Sequence, residues 1–543
     1  MTAPVLQRVP DILDCLAQLS NDEVPTPPNL ARAMLDLLPE EVWSNPDCRW
    51  LDPFCKSGVF LREIAVRLLS ALAEWEPNFD ARREHIYRNM LWGAAITDMT
   101  GHISRRSVYY SRDASGGHSV VRFETEQGLL PFIPAHHTLK DGRCTVCGAP
   151  EDLERGESRE NYAYAFIHGA YPTKEMTGMK LDVIVGNPPY QIGTEGYGAT
   201  ASTIYHRFVE QAITLDPRYV VMITPSRWFS GGKGLDEFRE RMINDRRLSV
   251  LVDNPRIFDC FPGVKIRGGV SYFLWDREHD GDCELSTRID GRIVSTATRD
   301  LREGHGVLVR DNRAISIIEN VRDRAMPSVE AQCSVTKPFG LTMRSNYPGS
   351  VPDPFEGSIP LIYANRIGYS RLDQIQRHRE WIGRWKVLLP MVSSGDTPVD
   401  AQGRIVDVVL GEPIALAPGS ACTQTYFIAG MLDSREKTEN YAHYLATKFV
   451  RFLVLQRKTT QHVTPDRFRF VPMMDMTVRW TDEKLYAEFG LRQDEIDYIE
   501  ASIKPRSVNL SLDSPIPASH LPGGAKHRAG AQVVTEDDDD DDE

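Results

Sequence analysis

The chain lacks any apolar run near the roughly 20 residues a membrane helix needs. Met1-Thr2-Ala3-Pro4 begins no signal peptide, so a soluble, cytoplasmic protein without a membrane partner is expected. Cysteine is sparse and odd in number: nine in 543 residues, mostly scattered. That excludes a disulfide framework and points to reduced thiols. There is no internal repeat, and no convincing Pro-Asp…Asp/Glu-x-Lys cluster of a metal-dependent nuclease. Basic charge is also short overall. Of the net charge of −13, the last eight residues, all acidic, account for eight, which leaves −5 on the rest. An acidic block after Leu521-Pro522-Gly523-Gly524 reads as a solvated, disordered tail, with nucleic-acid mimicry against a basic groove as the other reading. Global acidity does not exclude a polyanionic partner, because only a local patch has to be basic.

What is present is an alternation of short apolar strands and helical stretches. After a helical pattern over 8–20 and a stiff Pro25-Thr26-Pro27-Pro28 turn, helical spacing runs from Asn29 to Leu38. Strands are expected at Trp50–Pro53, Met90–Ile96, Leu181–Gly186, Val220–Pro225, Leu248–Asp253 and Gly269–Trp275. Helices are expected over Gly58–Leu72 and Ile204–Leu215, with a long irregular stretch over 101–180. The pattern implies an α/β fold with a doubly wound, mostly parallel sheet, whose ligands gather beyond the carboxyl ends of the strands. After about Arg277 the sequence turns irregular, as in a second domain, with a helix over Thr438–Gln456. The expected boundaries are 1–290, 300–505 and a tail over 506–543.

Two segments carry chemistry. Leu51-Asp52-Pro53-Phe54-Cys55-Lys56-Ser57-Gly58-Val59-Phe60-Leu61 is a strand-to-helix turn whose backbone N–H groups can approach a polar ligand. One glycine there is weak evidence, and an ordinary turn is the plain alternative. The second segment, Asn187-Pro188-Pro189-Tyr190, ends a buried strand in an amide, two rigid prolines and a flat ring. That is poor packing material but a good cradle for a planar amine. Both segments fall at strand carboxyl ends, so one cleft can hold them.

With Thr26-Pro27-Pro28-Asn29-Leu30 ahead of both, this order resembles the gamma class of S-adenosylmethionine-dependent DNA amino-methyltransferases, nearest to the adenine-N6 methylases of restriction–modification or phage-defence systems. The motifs cover roughly 20–280. The resemblance implies a class I, Rossmann-like catalytic domain and a C-terminal α+β target-recognition domain. It implies that Thr26, Asp52, Pro53, Phe54, Gly58, Phe60 and Asp98 bind S-adenosyl-L-methionine, and that Asn187, Pro188, Pro189 and Tyr190 are catalytic. Asn187 and the Pro188 carbonyl would accept hydrogen bonds from the target amine, and Tyr190 would stack on a base flipped out of double-stranded DNA. The pattern departs from the family at Lys56, where a glycine is usual, and at Ala95, where an acidic residue is usual and Asp98 would substitute. Cytosine-N4, RNA or protein-glutamine methylation shares the chemistry, and an inactive DNA-binding homologue is the non-enzymatic alternative. DNA cutting is expected from a separate restriction endonuclease.

The insertion before the tetrad holds His136-His137, Cys144-Thr145-Val146-Cys147-Gly148 and His168. Cys144 and Cys147 form half of a tetrahedral structural zinc site that nearby histidines can complete; two reduced thiols in a surface turn is the bland reading. Tyr162–His168 is expected as a strand, its histidine bordering the cofactor or simply structural. Gly231-Gly232-Lys233-Gly234 lacks nucleotide-triphosphate spacing but suits a phosphate contact. In the C-terminal part, Asn365-Arg366, Arg377-His378-Arg379, Trp381–Lys386 and Gln456–His462 mix basic and aromatic groups of the kind that contact nucleic acid.

Overall fold

In the computed structural model, residues 24–151, 164–172, 180–192, 202–232, 234–262, 268–304, 306–342, 351–364, 366–375, 377–393, 409–458 and 462–511 are described. The chain divides into two units, one running to Gly306 and the other beginning at Val307. Among the described residues no helix is long and apolar enough to cross a membrane.

An eight-stranded sheet organises the first unit. Its strands are β1 (Trp50–Cys55), β2 (Leu91–Ala95), β3 (Val183–Gly186), β4 (Tyr219–Pro225), β5 (Leu248–Asn254), β6 (Val270–Asp276), β7 (Cys283–Ile289) and β8 (Arg292–Arg299). They lie in the order β8-β7-β5-β6-β4-β3-β1-β2. From β2 through β4 every pairing is parallel, and every residue of these four strands is buried. Burial on both faces is why they read as continuous apolar runs rather than alternating ones. The far half is mixed: β6 runs antiparallel between β4 and β5, β7 returns parallel to β5, and β8 closes a hairpin on β7.

Helices α1 (Pro28–Leu35), α2 (Val59–Ala71), α3 (Phe79–Asn89), α4 (Asp98–Tyr109), α5 (Tyr205–Thr214) and α6 (Asp236–Asn244) accompany the sheet. From β1 the chain winds outward to β2, then returns to the opposite side of β1 to form β3. The two directions of winding part between β1 and β3, where α/β sheets open a ligand crevice.

The second unit is α+β. One sheet joins β9 (Ser358–Tyr363), β10 (Arg366–Arg371) and the short β13 (Ala421–Cys422). Another joins β11 (Trp385–Pro390), β12 (Ile414–Leu416), β14 (Tyr426–Leu432) and β15 (Asn509–Ser511). Helices α7 (Ala314–Arg322), α8 (Arg435–Ala446), α9 (Lys448–Leu455), α10 (Asp482–Glu488) and α11 (Gln493–Ser502) complete it.

Several expectations need correction. The sheet of the first unit continues past Arg277 to Arg299. Its last strand is mostly exposed, so it lacks the apolar signal that marks its neighbours. The stretch read as irregular from residue 101 begins inside α4, whose Thr97 and Thr100 form a reciprocal capping box. Ala165–His168, read as part of a strand, is a turn, and Phe166 packs against Phe54 of the sheet rather than entering it. The helix over Thr438–Gln456 breaks at Thr447, whose extended backbone and Val450-binding hydroxyl start α9 afresh. Asn509–Ser511, expected within the tail, pairs with β12 instead. The helix over 8–20, Lys233, Val264–Arg267, Asn365, Thr459–Gln461 and the acidic run lie outside the described residues.

The crevice depends on one close packing contact. A Cβ built on Gly186 would lie 2.3 Å from Phe54 Cε2 and 3.0 Å from Asp52 Oδ1. Gly186→Ala is therefore expected to overpack this joint and cost about 1–3 kcal/mol. Denaturant unfolding checks it: the midpoint should fall at unchanged slope, and an unmoved midpoint would show that the joint has room.

Candidate active site

The end of β1 is shaped by its own sequence. Pro53 has no N–H to donate, and the β1–β2 register shifts between Asp52 and Cys55. The strand then turns through Lys56 and Ser57 into α2. Gly58 sits in the left-handed region at φ 73°, and a Cβ there would be 3.0 Å from both the Ser104 carbonyl oxygen and Val108 Cγ2 of α4. Glycine is thus required at 58 for backbone conformation and for packing on α4, in addition to any ligand approach. Thr26, Asp52, Phe54, Lys56, Ser57, Gly58, Val59, Phe60 and Asn187 line one pocket. The N-terminal turn of α2 forms part of that wall, a favourable place for a negatively charged group.

Asp52 is buried, and its Oδ1 accepts from the Phe54 N–H at 3.2 Å. Burial pushes its pKa up to about 7, against the lowering effects of Cys55, the Phe54 N–H and the Lys56 charge. An acid held in this condition favours a cation or hydrogen-bond donors beside it.

The amide of Asn187 is held by its nitrogen. Nδ2 donates to the Val24 carbonyl at 3.2 Å and to Thr26 Oγ1 at 3.1 Å. A carbonyl can only accept, so the amide cannot be turned round. Oδ1 is left buried with no hydrogen-bond partner. A buried acceptor in that state costs about 1–3 kcal/mol, a cost that a donor bound in the pocket would relieve. Pro188 and Pro189 are buried beside it. The Tyr190 ring is buried edge-on to Tyr205, and Lys56 Nζ lies 5.9 Å from its centroid.

The structure therefore brings together Thr26, Asp52, Phe54, Gly58, Phe60 and Asn187, with Pro53 and Pro188–Tyr190 adjoining in sequence. It does not bring in Asp98. That side chain is exposed in the first turn of α4 and faces His102 at 3.3 Å. The sequence reading also missed the Val24 carbonyl, which has no side-chain signal, and Phe166, which packs edge-on to Phe54 at 5.9 Å.

Other expected sites fare differently. Cys144 and Cys147 meet His137 and His168, and the four ligand atoms lie within 4.8 Å of one another. His168 faces Cys144 rather than a cofactor wall. The Gly232 N–H is taken by the Asp236 carboxylate at 3.2 Å, which disfavours phosphate at that turn. Of the C-terminal basic groups, Lys386 is buried and donates to the Ile382 and Arg384 carbonyls, and Arg457 is buried against Asp466. Neither is placed to meet nucleic acid.

Comparison with known proteins gives three results. Residues 89–261, which include the tetrad, match the Eco57I restriction-modification methylase family. An uncharacterized adenine-specific methylase of Mycoplasma pneumoniae is 36% identical over 320 residues, covering 53% of this chain and 74% of that protein. Among solved structures, the DrdV–DNA complex aligns with TM-score 0.45 at 12% identity, over 87% of this chain and 59% of that one. A type I methyltransferase subunit from Streptococcus thermophilus aligns with TM-score 0.33 at 12% identity, over 57% and 56%. The chain thus spans under two thirds of the length of these structures.

Asp52 has a consequence for stability. With a folded pKa raised from 3.8 to about 7, its contribution is fully present below pH 4 and is lost as pH rises through about 7. The loss approaches about 4 kcal/mol by pH 7. In ligand-free protein, Asp52→Asn should flatten this part of the pH–stability curve. Equal slopes for the two proteins between pH 4 and 7 would show that Asp52 titrates normally.

Proposed function

Because this chain belongs to the adenine-specific restriction-modification methylase family, we propose that it transfers a methyl group from S-adenosyl-L-methionine to N6 of an adenine flipped out of double-stranded DNA. The observation that carries the reading is the Asn187 amide, which lines the pocket, is locked by its nitrogen and keeps a buried oxygen without a hydrogen-bond partner. A planar amine supplies the missing donor. Accepting its hydrogen bond draws electron density toward a nitrogen lone pair otherwise shared with the ring, and so makes that nitrogen the nucleophile.

The pocket residues suit the proposed donor. The N-terminal turn of α2 would hold its carboxylate, and Asp52 its ammonium group. When bound, the donor supplies an electrophilic methyl group. The Val24 carbonyl and the Thr26 hydroxyl fix the orientation of the Asn187 amide, and with it the direction from which an amine would donate. The Tyr190 ring offers the flat apolar surface on which an unstacked base rests, offsetting part of the few kcal/mol that flipping costs. No covalent bond between protein and base is needed. The surplus proton of the methylated amine passes to solvent.

Labelled S-adenosylmethionine and unmethylated genomic DNA test the reading, with the modified nucleoside identified afterwards. N6-methyladenine is expected. Label found in RNA or protein and none in DNA would overturn it. Asn187→Ala should lower the rate on the order of 10²-fold, as removing a pre-placed polar group from a transition state does, and should keep the thermal shift given by the cofactor. Thr26→Val removes one acceptor of the amide and should cost about five- to tenfold, in line with one lost hydrogen bond. Unchanged turnover in Thr26→Val would show that Val24 alone fixes the amide.

A further inference from the structure

We propose that His137, Cys144, Cys147 and His168 bind a zinc ion that fastens the insertion to the floor of the cofactor pocket. Four groups of the right chemistry converge although 31 residues separate the first from the last, and no other His, Cys, Asp or Glu ligand atom joins them among the described residues. Cys147 Sγ lies 3.3 Å from His137 Nδ1, and Cys144 Sγ lies 3.9 Å from His168 Nε2. A tetrahedral ion with Zn–S of about 2.3 Å and Zn–N of about 2.0–2.1 Å has S···N edges of about 3.6 Å. The observed edges bracket that value. Two thiolates with two imidazoles select zinc over harder, oxygen-seeking ions.

The local backbone is built for it. Leu139–Lys140 and Arg143–Cys144 form a tight hairpin, and the Gly148 N–H returns to the Cys144 carbonyl at 2.9 Å. Gly148 adopts φ 74°, which lets the chain fold back immediately after the second thiol. The hairpin has little core of its own, since Leu139, Lys140 and Arg143 are exposed. A metal supplies the ordering energy that apolar burial cannot. His136 is exposed and outside the cluster.

Four protein ligands close the shell, which marks a structural site rather than a catalytic one. Its leverage follows from His168. Two residues before it, Phe166 packs edge-on to Phe54 of the β1 turn and stacks on Phe208 of α5. Three residues after it, the Tyr171 hydroxyl donates to the Gly93 carbonyl of β2 at 2.9 Å. Holding His168 therefore holds the packing behind the pocket. This consequence for the cofactor rests on the function proposed above, whereas the metal site itself does not.

Metal analysis of the full chain, exposed to Zn²⁺ and then desalted, should give one zinc per chain. Cobalt substitution should give the tetrahedral d–d bands and thiolate charge-transfer absorption of a two-sulfur, two-nitrogen site. Cys144→Ser and His168→Ala should each lose the metal, and His136→Ala should retain it. Should the first two fail to fold, the count on the unaltered protein and the protection of two thiols from alkylation by bound zinc decide the matter. Less than about a tenth of an equivalent on the unaltered protein, or cobalt spectra without thiolate bands, would overturn the site. Chelation should then weaken cofactor binding about tenfold or more, as loss of supporting groups does around ordered sites. Zinc present with cofactor affinity unmoved by chelation would sink the coupling alone.

Discussion

The hydrogen bond from Asn187 Nδ2 to the Val24 carbonyl is the constraint on which the site depends. An amide is ambiguous until something fixes which end donates. Here the fixing group is a backbone carbonyl on a segment 163 residues away in sequence, stiffened by Pro25, Pro27 and Pro28. The bond orients the amide and leaves its oxygen without a partner. It also ties the entry to α1 against the carboxyl end of β3. Such a buried, unsatisfied acceptor lowers stability, and stable packing alone gives no reason to keep it.

A second joint transmits this order to the neighbouring strand. Gly186, the last residue of β3, leaves only enough room for the Phe54 ring, and that ring is backed by Phe166 and Phe208. Asp52 adjoins the same contact. The ends of β1 and β3 therefore cannot shift independently by even a few tenths of an ångström without a clash or a void. The acid at the end of one strand and the amide at the end of the other stand at a fixed separation, which is what chemistry between two bound molecules requires.

Much of this was legible in the sequence, and the reasons are specific. Strands β1 to β4 are buried on both faces, so their apolar runs stand out. Asn187-Pro188-Pro189-Tyr190 stands out because it is such unlikely core material. Strand β8 was invisible because it is exposed, and the Thr447 break because threonine is unremarkable inside a helical pattern. The family resemblance offered Asp98 as a substitute for the acid missing at 95, but the Thr97–Thr100 capping box starts α4 there and turns Asp98 outward to His102. Lys386 and Arg457 looked like surface cations because composition does not show burial: Lys386 donates to backbone carbonyls inside the fold, and Arg457 is buried with its Nε on the Asp466 carbonyl. The partner of Asn187 was unreadable in principle, since every residue has a carbonyl.

The missing acid at position 95 also acquires a physical reason. Ala95 donates its N–H to the Pro131 carbonyl and bridges Phe132, so the end of β2 is covered by a returning segment. Its side chain meets α4 at Gly101, where a built Cβ would lie 3.3 Å from Ala95 Cβ. Two small residues let helix and strand close on each other, and a longer side chain at 95 would be forced into that contact. Alanine there is the counterpart of the close α4 packing, just as Gly58 is further along the same face of that helix, at Ser104 and Val108. The helix that excludes an acid from β2 is the one that fixes the turn after Asp52. The polar side chains that line this pocket are accordingly Asp52 of β1, Lys56 and Ser57 of the turn into α2, Thr26 and Asn187.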